Sequence, residues 1–278
     1  METRTTMALT APTLAIHESE QARSQSNELI AVLLPTYCEA ENIGNLIREI
    51  QKLNLKTIIT VVDDSSPDDT SKIVKELQSR FGNIHFISRQ KKLGLGTAIV
   101  AGFRFFLSQN EPPDYVITMD SDYSHNPHDI VRLVTYARNG NDLVIGSRYV
   151  RGGAMKNWPL KRRLISRVAN MIAPLVTGKR TRDCTSGFRC YSRGFVEKVL
   201  PALHSTTYEI QIETVRQARL NQFKIKEIPI TFVDRKKGKS KLSKDEVIAF
   251  LTYTAKSLIA NLRIVSKSRS QLDNSSHK

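Results

Sequence analysis

No uninterrupted apolar run reaches about 18 residues, so the sequence predicts no membrane-spanning helix. Cysteine is scarce: Cys38, Cys184 and Cys190 form no C-x-x-C pair. That argues against a disulfide scaffold or a zinc site and for a reducing compartment. No signal peptide is expected, because residues 1–27 are rich in Ser, Thr and Gln and lack an apolar core segment. This stretch and residues 267–278 are expected to be disordered tails. No G-x-G-x-x-G follows the first apolar run, and no Walker sequence occurs. Gly94-Leu95-Gly96 alone does not make a dinucleotide site, so hydride transfer and ATP hydrolysis are not indicated. A G-x-S-x-G elbow is also missing. His125 and His128 are three residues apart near a predicted helix start. Helix capping or surface placement fits them better than metal ligation.

Acidic residues are scarce in the second half. Between Ser147 and Arg193 there are twelve Lys/Arg and one acid, Asp183; between Arg235 and Lys278 there are eleven and three. Together these stretches carry +19 of a net +15, leaving −4 for the rest. Such an imbalance implies an anionic partner: nucleic acid, acidic lipid or a phosphorylated substrate.

The first half alternates short apolar runs with amphipathic segments. Strands are expected at Leu29–Leu34, Thr57–Val62, Ile84–Ile87, Tyr115–Met119 and Leu143–Ile145. Helices are expected at Glu41–Leu53, after Ser66-Pro67 with Ser66 as N-cap, from Gly96 to Leu107, and at Pro127–Arg138. This order predicts an α/β fold with a mostly parallel central sheet and helices on both faces. Further on, the pattern predicts one helix over Lys161–Val176 and a short strand at Gly187–Tyr191. A helix at Tyr208–Leu220 follows, then one long strand or a strand pair over Phe223–Val233. A basic loop at Asp234–Leu242 precedes an amphipathic helix at Ser243–Val265. No linker divides the chain, so residues 28–266 are expected to form a single domain.

Ligands of such sheets bind beyond the carboxyl ends of the strands. Asp120-Ser121-Asp122 falls there, directly after an apolar run. Two carboxylates two residues apart cannot both enter an apolar core unpaired. At a strand end they can share Mg²⁺ or Mn²⁺, which takes oxygen ligands and completes its shell with water and phosphate. Asp63 and Asp64 either cap the next helix or accept hydrogen bonds from a ribose or base. Glu39 is placed likewise after the first strand. Arg148, Arg162 and Arg235 are the anion-binding candidates, since a guanidinium grips phosphate through two donors.

Taken in order, Pro35-x-Tyr37-x-Glu39, Val62-Asp63-Asp64-x-Ser66, Gly94-x-Gly96, Asp120-x-Asp122-x-Ser124-His125-x-Pro127 and Gly146-Ser147-Arg148-Tyr149 resemble a family-2 glycosyltransferase. The later Thr185-Ser186-Gly187-Phe188-Arg189 and Phe232-Val233-Asp234-Arg235-x-x-Gly238-x-Ser240-Lys241-Leu242 narrow the resemblance to the dolichol- and polyprenol-phosphate mannose synthases. The resemblance covers about Leu29 to Ala255 and implies a Rossmann-like fold of the GT-A type. It implies that Pro35, Tyr37, Glu39 and Asp64 hold the guanosine part of GDP-mannose, and that Asp120 and Asp122 hold the metal. It further implies that Arg148, Arg162 and Arg235 grip donor and acceptor phosphates, with Lys241 supporting that loop. Asp122, Arg148 and Arg235 would then carry the catalysis. Two positions depart from the pattern: Cys38 stands where Asn is common, and Ser124 where some relatives have a Gln metal ligand.

A polyprenyl or dolichyl phosphate acceptor would require a membrane surface. Lys161–Val176 has basic residues leading into an apolar face, as an interfacial helix does. The expected location is cytoplasmic, peripheral on the cytosolic face of a membrane: endoplasmic reticulum in a eukaryote, plasma membrane in a prokaryote. Small membrane-anchoring subunits are possible partners. Two other functions compete: a hexosyltransferase using a UDP-sugar, and a basic nucleic-acid-binding protein. The second is disfavoured because Phe103, Phe105 and Phe106 sit at helical core spacing and do not interleave with the basic runs.

Overall fold

The computed structural model describes residues 27–178, 181–234, 249 and 252–259. The expected tails, apart from Asn27, and the loop bearing Arg235 and Lys241 lie outside the described residues. So does most of the expected helix Ser243–Val265, of which 249 and 252–259 are helical.

The chain alternates strand and helix from its first apolar run. β1 (Ile30–Thr36), α1 (Ala40–Gln51), β2 (Thr57–Asp63), α2 (Thr70–Arg80), β3 (Ile84–Ser88), α3 (Leu95–Leu107), β4 (Tyr115–Thr118), α4 (Asp129–Arg138) and β5 (Leu143–Ser147) follow in order. Then come β6 (Ala154–Lys156), α5 (Leu160–Ile172), α6 (Pro174–Thr177), β7 (Arg189–Ser192), α7 (Arg193–Val199), α8 (Ile210–Leu220), β8 (Ile225–Pro229) and β9 (Thr231–Val233). The main sheet runs β3-β2-β1-β4-β7-β5-β8, with only β7 antiparallel to its neighbours. β6 and β9 form a separate parallel pair.

Period-two alternation fills both faces of the sheet. In β1, Ile30, Val32 and Leu34 join the core beneath α1, α2 and α4. Ala31 and Leu33 join the core beneath α3, α7 and α8. A shift of one residue would exchange these faces, so the register is strongly specified.

Two expectations need correction. Ser66 does not cap α2. Its backbone N–H donates to Asp63 (2.9 Å) and its hydroxyl accepts from the Cys38 N–H (2.8 Å), so the strand-end acid captures it. Asp68 instead accepts from the Thr70 N–H at 3.1 Å, and the helix starts there. The Lys161–Val176 helix ends at Ile172 because Pro174 cannot donate to the preceding turn, and α6 restarts at that proline. Of the two alternatives for Phe223–Val233, the structure has two strands, which lie in two sheets and are broken after Pro229.

Gly96 has a steric reason. A Cβ there would lie 2.3 Å from the Ser205 carbonyl oxygen, so only glycine lets α3 dock on the 205–206 backbone. The Gly96 N–H donates to the Thr206 oxygen at 2.9 Å, closing the same contact.

Candidate functional site

The chain leaves β1 toward β2 and β3 on one side, then returns to place β4 on the other. The carboxyl ends of β1 and β4 therefore flank the switch point of the sheet, where a crevice must open. An open cleft lies there. Pro35, Tyr37, Glu39, Asp64, Asp120, Asp122 and Arg162, all expected from the sequence, line it. The backbone is constrained at each strand end: Cys38 (φ +54°), Ser65 (+59°) and Tyr123 (+63°) follow β1, β2 and β4 in the left-handed region. Asn and Gly tolerate that conformation better than most residues, so Cys38 adopts it at a steric cost.

Asp64, Glu39 and Asp122 accept hydrogen bonds through their carboxylates, and Asp120 is anchored through its backbone. Asp64 pairs with Arg89 and accepts from the Leu93 and Gly94 N–H groups (3.2 and 3.0 Å), so it pins the loop after β3. Glu39 accepts from the Asn42 side chain at 2.9 Å. Asp122 accepts from the Ser124 N–H at 3.0 Å, an arrangement that aims the carboxylate from a tight turn. The Asp120 N–H donates to His125 Nδ1 at 3.3 Å. A Cβ on Gly187 would come within 3.0 Å of the Asp120 carboxylate, so glycine keeps that space open.

His125 is neither a cap nor a surface residue. It is buried, stacks on Phe188 at 4.9 Å and meets Phe232 edge-on at 5.3 Å. Burial lowers its pKa, opposed in part by Asp120 and Asp122, so the imidazole is held neutral behind the two carboxylates. His128 is exposed beside the start of α4.

The arginines divide. Arg162 lines the cleft, pairs with Asp234 at 2.8 Å and lies 5.5 Å from the Trp158 ring centre. Arg148 does not line the cleft, which differs from the expectation that it grips phosphate. Its guanidinium is buried and bonds Asp183 through Nε (2.8 Å) and Nη2 (2.7 Å), with Thr185 at 2.7 Å. Burial opposes the charge on Arg148, but Asp183 outweighs it and raises the guanidinium pKa. Burial likewise opposes the Asp183 carboxylate, and Arg148 outweighs that and lowers its pKa. Arg148 also faces the rings of Trp158 (5.2 Å), Tyr149 and Phe232 (both 5.6 Å). It therefore braces the wall that carries Arg162 and Phe232. Arg189, from the Ser-Gly-Phe-Arg motif, is fully buried and donates to the Cys184, Ser186 and Gln211 carbonyls and to Thr214.

Sequence reasoning missed Arg89, Lys92 and Tyr208, which also line the cleft, as does Phe232 at the head of the basic-loop motif. For the first two the signal was present: Arg89-x-Lys91-Lys92 stands between a strand and Gly94 in the otherwise acidic half.

Asp120 and Asp122 fit a hard cation. Among the described residues no cluster of three His, Cys, Asp or Glu could hold a metal alone. Two carboxylates opening on a cleft suit Mg²⁺ or Mn²⁺, whose remaining sites go to water and diphosphate oxygens.

Comparison with known proteins agrees with this geometry. Residues 31–200 match the Glycosyl transferase family 2 profile. The polyprenol monophosphomannose synthase of Mycolicibacterium smegmatis is 39% identical over 214 residues, covering 76% of this chain and 80% of that protein. The undecaprenyl-phosphate mannosyltransferase of Micrococcus luteus is 37% identical over 216 residues, covering 77% and 87%. Among solved structures, glucosyl-3-phosphoglycerate synthase from Mycobacterium tuberculosis in complex with Mn²⁺, UDP and glucosyl-3-phosphoglycerate is similar in fold. It has a TM-score of 0.60 and 20% identity, covering 93% of this chain and 86% of that one. A complex of the same enzyme with Mg²⁺ and UDP also has a TM-score of 0.60 and 20% identity, covering 87% and 82%. The carboxylate pair at the switch point, the sheet order and these matches converge: the chain belongs to glycosyl transferase family 2.

Proposed function

We propose that this protein transfers mannose from GDP-mannose to a polyprenyl or dolichyl phosphate, with inversion at the anomeric carbon. One observation carries the lipid half of this reading. Leu160, Leu164, Val168, Met171 and Leu175 are all exposed, from 41% for Val168 to 80% for Leu160. Their spacing of three and four residues puts them on one helical stripe along α5 and α6. The sequence of α5 contains four Lys/Arg and no acid, and its Arg162 lines the cleft. An apolar stripe with basic neighbours suits the headgroup region of an anionic bilayer. A lipid phosphate rising there would meet Arg162 at the cleft. The names of the two similar mannosyltransferases agree with that acceptor.

In this reading the acceptor phosphate is itself the nucleophile, so no general base is required. Arg162 orients it, and Arg235 and Lys241, outside the described residues, are assigned to the same phosphate from the sequence resemblance. Pro35, Tyr37, Glu39 and Asp64 hold the nucleoside. Asp120 and Asp122 would hold Mg²⁺ or Mn²⁺, which when bound stabilises the charge on the departing GDP. Arg148 acts as a positioning residue. One in-line displacement converts an α-linked donor to a β-linked product.

The test is transfer by purified protein with Mn²⁺ and liposomes carrying polyprenyl phosphate. Mannose from labelled GDP-mannose is expected in the lipid phase. Preferential transfer from UDP-glucose would establish the other hexosyltransferase reading. A shift of random oligonucleotides without any sugar transfer would favour the nucleic-acid reading, which we exclude from the proposed partners.

The membrane arm has its own test. No helix among the described residues is long and apolar enough to cross a bilayer. The exposed apolar stripe and the basic residues of α5 lead us to expect docking on the cytosolic face of a membrane, with flotation on acidic liposomes at low salt and less at high salt. Replacing Leu164 and Met171 together by Asp removes two exposed insertions, each contributing about 1.5–3 kcal/mol when fully buried. Flotation should fall at least ~10-fold with no change in melting temperature. If the parent protein itself stays unbound, a separate anchoring subunit must bring it to its lipid.

A further inference from the structure

Three cations line the cleft: Arg89, Lys92 and Arg162. Arg89 is engaged by Asp64, by Thr97 Oγ1 and by the Gly94 oxygen, and Arg162 by Asp234. Lys92 forms no ion pair among the described residues, and its Nζ lies 5.0 Å above the centre of the Tyr37 ring. The loop that carries it is held at both ends. Asp64 binds Arg89 on one side and the Leu93 and Gly94 N–H groups on the other. An exposed ammonium is thus presented over an aromatic face by a loop with fixed ends.

The sheet order says which part of a donor would arrive there. Asp120 and Asp122 follow β4, Tyr37 follows β1, Asp64 follows β2 and Lys92 follows β3, which are consecutive positions roughly 4.8 Å apart. With the diphosphate at the Asp pair and the acceptor on the Arg162 side, the nucleoside extends toward β3. Its base then lies by Tyr37 and Lys92. An ammonium has three donors and no acceptor, so it can satisfy only acceptor atoms. Guanine offers O6 and N7, and uracil offers a carbonyl at the equivalent edge. Adenine keeps N7 but carries an amino donor in place of O6, and cytosine carries an amino donor in place of the uracil carbonyl, so the discriminating atom is the keto oxygen.

We propose that Lys92 selects the donor nucleotide by its base, donating to a keto edge and rejecting an amino edge. This rests on reading the cleft as a nucleotide-sugar site, but not on which keto base is native. The aromatic ring of Tyr37 holds the ammonium in place until the base arrives.

The experiment measures Mn²⁺-dependent binding of GDP, ADP, UDP, CDP and inorganic pyrophosphate to the intact protein and to Lys92→Met and Lys92→Arg. The parent protein should prefer GDP over ADP and UDP over CDP. Lys92→Met should shrink those ratios about 10-fold and leave pyrophosphate binding unchanged, and Lys92→Arg should restore most of the preference. An equal loss for all five ligands would place Lys92 on the diphosphate and overturn the proposal. Unchanged ratios would overturn it as well. A parent protein that binds UDP more tightly than GDP would instead overturn the GDP-mannose donor, and the UDP/CDP ratio would still report on Lys92.

Discussion

Asp122→Asn should lower mannosyl transfer by about 10²-fold or more, with Mn²⁺ affinity falling in parallel and the fold intact. The choice of asparagine separates two roles. The Asp122 carboxylate accepts from the Ser124 N–H at 3.0 Å, and an asparagine oxygen can still accept it. What asparagine cannot supply is the charge. Asp122 is 4% exposed and lines a cleft shared with Glu39, Asp64 and Asp120, so a diphosphate is repelled unless a cation intervenes. Calorimetric Mn²⁺ binding and turnover should fall together in the variant while the melting temperature stays within a few degrees of the parent. Undiminished turnover with Mg²⁺ or Mn²⁺ would sink the metal assignment.

The parts of the fold that were legible in the sequence are those governed by local pattern. β1 to β5 and the helices between them were marked by apolar periodicity, and their carboxyl ends carry Pro35, Tyr37, Glu39, Asp64, Asp120 and Asp122 into one cleft. What escaped depended on competition between partners distant in sequence. Ser66 has every local mark of a helix cap, yet Asp63 and the Cys38 N–H claim it. Arg148 has the charge of a phosphate ligand, yet Asp183, 35 residues on, takes its guanidinium. His125 looks exposed beside Asn126 and Pro127, but Phe188 and Phe232 close over it from later elements. Lys92 is a single cation in the acidic half, and only the fold puts the Tyr37 ring beneath it.

The largest effect on stability is expected from Asp183→Asn, at a residue that does not line the cleft. Asp183 is fully buried and accepts from the Arg148 N–H (3.0 Å), Nε and Nη2, and from the Thr185 hydroxyl (3.2 Å). Asparagine replaces one acceptor oxygen by an NH₂ group that faces guanidinium donors, and it leaves a buried positive charge uncompensated. Breaking a buried pair in this way costs about 3–5 kcal/mol. For a chain of this size that corresponds to a fall in melting temperature of roughly 10 °C. The pH dependence follows from the direction of the Asp183 shift. Its carboxyl is held below the ordinary value in the folded state, so its contribution is present in full at neutral pH. That contribution is lost as pH falls below the ordinary carboxylate range and through the lowered folded value, and the gap between parent and variant should close only there. Removing both charges, as Arg148→Met with Asp183→Leu, should recover much of the stability, because the isolated charge is gone. It should not recover activity. Arg148 braces Trp158 and Phe232, beside which Arg162 enters the cleft, so the double variant should show a raised KM for the lipid acceptor. Urea unfolding at pH 7 and pH 3, with steady-state kinetics on the folded variants, checks each arm. A single Asp183→Asn variant within 1 kcal/mol of the parent would show that Arg148 finds its compensation elsewhere.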